Sequence, residues 1–205
     1  GSSSNYLWQT ADGQLMPWDP TQTEPRYEAA LYGASSTVRA RAFGPIGFSM
    51  AIGVEVLVNH ESGEVTSFLY YSGNANAKSV GASGNAAVYV GGVNNLNGSN
   101  YNYRGVSRTA SASAAAGPLG LTTGYTYNLN DNPFDPKGVW SEYVGWAPGM
   151  GASVGVSDAN YIPIFTNNLE TGESSWEIIK YAQEHWQMTV DDFTGAWNTL
   201  QEWFR

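Results

Sequence analysis

The chain has no cysteine among its 205 residues. That removes disulfides, thiolate metal centres and thiol nucleophiles at once, and leaves the compartment open between the cytosol and the cell envelope. Histidine is nearly as scarce, with only His60 and His185, and no metal-binding histidine spacing, Ser-His-Asp order, Walker loop or Gly-x-Gly-x-x-Gly turn occurs. No catalytic residue can be named, and neither a metal nor a cofactor is expected. Nine basic residues stand against 18 acidic ones, a net charge of −9. A general phosphate-neutralising surface is therefore missing, and nucleic acid is not an expected partner. No apolar run reaches the length of a helical membrane span, and the amino terminus lacks the basic and apolar regions of a signal peptide. Gly1 to Ser4 read as a cloning remnant, so an export signal or carrier would lie outside this sequence.

What the chain does contain is 24 glycines, 13 tyrosines and 8 tryptophans with only 13% charged residues. Glycine for turns and close approaches, with aromatics for pleated surfaces, points to one compact, mainly β unit. Residues 1–34 hold several prolines and one short candidate helix at Glu28 to Tyr32, and read as an irregular arm. From 35 to 165 the chain runs in extended stretches separated by Gly, Asn and Pro. Strands are expected at 35–43, 47–59, 63–73, 78–92, 99–116, 119–129, 138–147 and 151–164, forming an antiparallel up-and-down barrel of about eight strands. Residues 166–205 turn to helical spacing. Ser174 and Thr189 are the expected caps of two amphipathic helices packed on the barrel.

Two strands carry the clearest alternation. In "FSMAIGVEVLVN" the large apolar side chains are Phe48, Met50, Ile52, Val54, Val56 and Val58, opposed by Ser49, Ala51, Gly53, Glu55 and Asn59, with Leu57 the exception. "LGLTTGYTYNL" repeats the scheme. Alternation shows that one face meets something apolar, without deciding whether the small face points inward or outward. The run "SRTASASAAAG" (107–117) has nothing larger than threonine after Arg108. Close approach is easiest there, and the two helices, through Trp186, Trp197 and Phe204, are expected to lie on it.

The stretches "NHESGEVTSFLYYSGNANA", "VGGVNNLNGSNYNYRGVSRTASASAAAGPLGLTTGYTYN" and "GMGASVGVS" resemble glycine-rich β-domains at the carboxyl ends of bacterial Rhs-type and other polymorphic toxins. In those, a "TGEV"-like hairpin, an "NLNG" turn and a Ser/Ala/Gly strand recur in similar order. The likeness covers about half the chain and rests on structural motifs. It implies an exported effector or its accessory barrel, secreted or delivered from a bacterium and countered by an immunity protein, and it supplies no catalytic residues.

Among chemical features, Arg39 and Arg41 share a strand face, as do Arg104 and Arg108. With Glu55 these are the candidate ligand-binding residues, the arginines converging on a phosphate, sulfate or carboxylate; the alternative pairs them with Glu55 and Glu142 in a structural network. His60 reads as a turn residue, and His185 as a cation near a helix end. "NLNDNPFDPKG" gathers calcium-competent oxygens but lacks the EF-hand spacing, and reads better as a polar turn. Three functions stand: a membrane-active effector, a soluble barrel holding a small apolar or anionic ligand, and a structural or adhesive module. Strands 78–92 and 99–116 offer no adequate lipid face, which argues against a permanent outer-membrane barrel.

Overall fold

The computed structural model describes residues 8–9, 15–16, 27–43, 46–75, 86–187 and 189–204; the side chains at 8–9, 15–16, 38–49, 73–75, 190 and 193 lie outside that description. Eight antiparallel strands form one closed wall: β1 (Ala29–Phe43), β2 (Ile46–Asn59), β3 (Glu64–Ala75), β4 (Ala86–Asn94), β5 (Gly105–Gly117), β6 (Leu119–Asn128), β7 (Trp140–Trp146) and β8 (Gly149–Asn168). Two helices follow, α1 (Glu177–His185) and α2 (Val190–Trp203). Around the wall the order is β1, β2, β3, β8, β5, β6, β7, β4. The expected up-and-down succession thus holds within two meanders, β1–β2–β3 and β5–β6–β7, and β8 and β4 join them into a barrel. Closure rests on β5 and β8, paired without a break from Gly105↔Tyr161 to Gly117↔Gly149.

Hydrogen-bonded partners followed round the wall from Ile162 are Leu69, Val54, Ala34, Val88, Trp146, Leu121 and Ala114, and the path returns to β8 at Ala152, ten residues along from its start. Eight strands with that stagger tilt by about 35–45° and enclose a bore only wide enough for side chains or one small guest. Space inside is therefore rationed residue by residue. Gly33, Gly53 and Gly124 sit directly opposite Tyr89, Tyr70 and Tyr143. A Cβ at any of the three would fall within 2.5 Å of the facing ring, so each tyrosine lies across the bore over a missing side chain.

The lower end, at the turns after β2, β4 and β6, is filled like an ordinary core. Leu31, Leu57, Phe68, Val93, Leu96 and Tyr103 are buried together there. The "NNLNGS" segment folds under them, with Asn95, Asn97 and Gly98 at positive φ. It is tied by two buried polar side chains. Glu28 accepts from Asn59 Nδ2 at 2.9 Å and from the backbone N–H of Leu96 at 3.1 Å, while Asn100 donates to Leu57 O, Glu64 O and Thr66 Oγ1. This plug closes the lower end.

Three expectations are corrected. The candidate helix at Glu28 to Tyr32 is the start of β1, because Ala29 and Leu31 alternate into the core and pair with both β2 and β4. The helices do not cover 107–117: α1 packs on β8, where Tyr181 Oη donates to Asn160 Oδ1 at 3.1 Å, and Ala110, Ala114 and Ala116 on the outside of β5 are exposed. Small residues there give the wall a smooth face, whereas α1 needs the anchors Tyr181 and Ala182, which are buried. Finally, Trp176, without a side-chain cap, precedes α1 in place of Ser174, whereas Thr189 caps α2 in a reciprocal box with Asp192.

Two substitutions check this packing in thermal denaturation. Ala114→Trp is expected to leave the melting temperature nearly unchanged, because its Cβ points out of the wall. Gly53→Val is expected to cost about 1–3 kcal/mol, the usual penalty for overpacking, because it must displace the Tyr70 ring.

Candidate functional site

The polarity of the wall reverses along the barrel. In the upper half, towards the β5–β6 turn, the inward side chains are small and hydroxylated: Ser35, Thr37, Ser72, Ser111, Thr122 and Ser157 line a lumen of about 230 Å³. The outward side chains of the same strands are apolar but for Ser36 and Thr123. More than a dozen large ones are over 40% exposed, among them Leu119, Leu121 and Val154. The register row through Val54, Val88 and Trp146, which climbs the barrel with the stagger, has no charged or hydroxyl side chain at any position. The next row down, through Tyr32, Val90, Val144, Thr123, Ala112 and Val154, is uncharged. Among the described residues the outer wall meets charge at Glu142 and at the Arg108–Asp158 pair, just below Val144, Ala110 and Val156 on their strands. Aromatics lie near that boundary on the outer face, Tyr125, Tyr127 and Trp140 clustered on β6 and β7 and Tyr71 on β3.

Direction is thus settled for the alternating strands: Gly53, Glu55, Leu57 and Asn59 point in, while Ile52, Val54, Val56 and Val58 point out. Strands 78–92 and 99–116 are expected to offer no adequate lipid face; residues 78–85 lie outside the described residues, and on the rest the outward side chains carry no charge above Arg108. Val88 and Val90 supply an apolar face on β4, and Ala110, Ala112, Ala114 and Ala116 on β5, where alanine is small but carries nothing polar into the outer surface.

Glu55 sits where the apolar core meets the polar lumen. It is 2% exposed, receives Tyr103 Oη on Oε1 at 2.8 Å and Tyr89 Oη on Oε2 at 2.5 Å, and Tyr70 Oη lies 2.9 Å from Tyr89 Oη. Burial pushes its carboxyl up to about 7, against the two phenol hydrogen bonds, which pull it down. Burial, reinforced by Glu55, pushes Tyr70 up to about 12, so these phenols remain hydrogen-bond donors at neutral pH. The layer of Glu55, Tyr70, Tyr89 and Tyr143 is a polar floor under the lumen, held by hydrogen bonds that would be costly to leave unmade at such depth.

The candidate arginines do not converge. Arg108 lies outside the wall, paired with Asp158 at 2.8 and 3.1 Å. Arg104 lies at the base, 4.0 Å over the Tyr101 ring and 3.7 Å from Glu184. Their alternation with inward Ser107 and Thr109 turns Arg108 away from Glu55, and Asp158 and Glu184 take the partner places considered for Glu55 and Glu142. The side chains of Arg39 and Arg41 lie outside the described residues. His60 is an exposed turn residue whose N–H meets Glu28 O, and His185 stacks on Tyr181 at 4.1 Å. In "NLNDNPFDPKG", Asn128, Asn132, Asp131 and Asp135 each accept a backbone N–H of their own loop, which makes it a polar turn. Reading the sequence missed the tyrosines around Glu55, although Tyr70, Tyr89 and Tyr143 each face a glycine across the sheet. Comparisons with protein-family models, with curated proteins and with solved structures found no match to this chain.

Glu55 gives stability a pH dependence. Below about pH 4.5 its carboxyl is protonated in both the folded and the unfolded chain. As pH rises towards 7 the unfolded chain releases its proton while the folded chain keeps it, so stability falls by about 3 kcal/mol over that window. Chemical denaturation of Glu55→Gln across pH 4.5–7 is expected to lack that component of the slope; an unchanged slope would place the titration elsewhere.

Proposed function

We propose that this chain acts at a lipid bilayer, with the upper half of its barrel wall in contact with acyl chains. The observation that carries this reading is the reversal of polarity among the described residues: hydroxyls inside and uncharged, almost wholly apolar side chains outside, over the same stretch of the wall. In water that arrangement leaves an apolar surface encircling the barrel exposed, far beyond the isolated patches that soluble monomers tolerate. In a membrane it is the ordinary arrangement, because a closed sheet satisfies its own backbone groups and presents large residues to lipid. Aromatics near the charged boundary fit the place where acyl chains give way to headgroups.

The resemblance to polymorphic-toxin domains is compatible with an exported effector that reaches a target membrane, and an immunity protein would then act by covering the belt. The plug under the lumen and the floor around Glu55 favour insertion without a continuous water path. Of the other readings, a soluble ligand-binding barrel draws on the lumen itself. Its hydroxyl walls and acidic floor suit a small polar guest better than an apolar or anionic one. A structural or adhesive module would place the belt against another protein and would be revealed as a defined oligomer without lipid.

The test is flotation with phosphatidylcholine vesicles. The wild-type chain is expected to rise with the vesicles, and Leu121→Arg and Val88→Arg each to weaken that partitioning, by about 2–4 kcal/mol where the position lies near the bilayer midplane. Equal flotation of both variants, or none of the wild type, would contradict the reading. Expression with an export signal is expected to place the chain in the membrane fraction without dye entry.

A further inference from the structure

We infer that α2 is an interfacial helix that lies along the headgroup layer of the membrane its own barrel enters; this rests on the bilayer reading above. Helix α2 has 14 residues, a length of about 21 Å. Trp197, Leu200, Trp203 and Phe204 occupy one side of it within an arc of about 120°, from the 100° per residue of an α-helix. In the structure they are 52%, 41%, 77% and 84% exposed, so the described residues leave much of each uncovered. Asp191 and Glu202 lie on the opposite side.

Position selects the occupant. Helix α1 is fixed on the outside of β8, through Tyr181 to Asn160 and by burial of Ile162. Asn160 is two residues below Asp158, where the outer wall leaves its uncharged belt. Helix α2 follows after four residues and touches α1, so it starts from a helix docked beside the level of the wall aromatics. Trp186 and Trp176, 45% and 60% exposed, belong to the same end of the molecule. Tryptophan with an apolar body and a polar N–H suits that depth better than either the acyl core or water. The acidic outer side, with no basic residue within α2, specifies uncharged or zwitterionic headgroups, since anionic lipid would be repelled.

The absence of cysteine allows a single reporter to be placed in the full chain. Trp203→Cys, Glu202→Cys and Leu121→Cys would each carry an environment-sensitive nitrobenzoxadiazole label, in phosphatidylcholine vesicles containing lipids spin-labelled at the headgroup or deep in the acyl chain. The expected result is blue-shifted emission at 203 quenched by the headgroup label, aqueous emission at 202, and quenching at 121 by the deep label. Quenching at 121 with aqueous emission at both 202 and 203 would overturn the inference and leave the bilayer reading standing. Aqueous emission at 121 would overturn that reading and this inference with it. Stronger binding to vesicles enriched in phosphatidylserine would also contradict the proposed headgroup choice.

Discussion

Closure of the wall is the constraint from which the rest of the molecule follows. Once β5 pairs with β8 along its whole length, eight strands staggered by ten residues fix a narrow bore, and every inward position must fit it. Serine, threonine, alanine and glycine meet that requirement in the upper half. In the lower half a conventional core fills the space, and the tyrosines between them fit because glycines face them. The run of small residues at 107–117 is therefore wall that pairs without a break against 149–159, whose inward positions are also small, with no helix lying on it.

Closure also forces the choice of what surrounds the barrel. With the bore filled by small hydroxylated side chains, large apolar residues on the same strands can only point outward. The molecule is built as two solvents in succession would demand: below the Arg108–Asp158 level it is arranged like a soluble protein, and above that level it is inverted. Glu55 stands at the changeover, where burial lifts its carboxyl and four phenols and the lumen hydroxyls share the polar work. Neutral Glu55 is compatible with a dry lower core, and its ionisation is what that core resists.

Much of the fold was legible. Period-two alternation and Gly, Asn and Pro turns located eight strands, mostly to within a few residues, because a sheet with two unlike faces writes its period directly into the chain. The side each face would take was not legible, since a lipid-facing and a core-facing strand share one pattern. Topology was only partly legible: turns reveal hairpins such as β5–β6, whereas β4 and β8 join strands distant in sequence. Spacing placed Arg104 and Arg108 on one face, but nothing in it pointed to Asp158 or Glu184 as partners. The cluster around Glu55 was half visible, as a lone acid on a small-residue face, and the phenols that surround it come from four other segments.

The most direct test of a barrel half in lipid and half in water is a nitroxide scan along β6 in vesicles, with single cysteines at each position from 119 to 127 and relaxation measured against oxygen and a water-soluble nickel chelate. The account predicts oxygen-dominated relaxation at 119, 121 and 123, a rise in chelate accessibility at 127, and low accessibility to both at the inward positions 122 and 126. Uniform exposure to the chelate at the outward positions would contradict it and return the barrel to water.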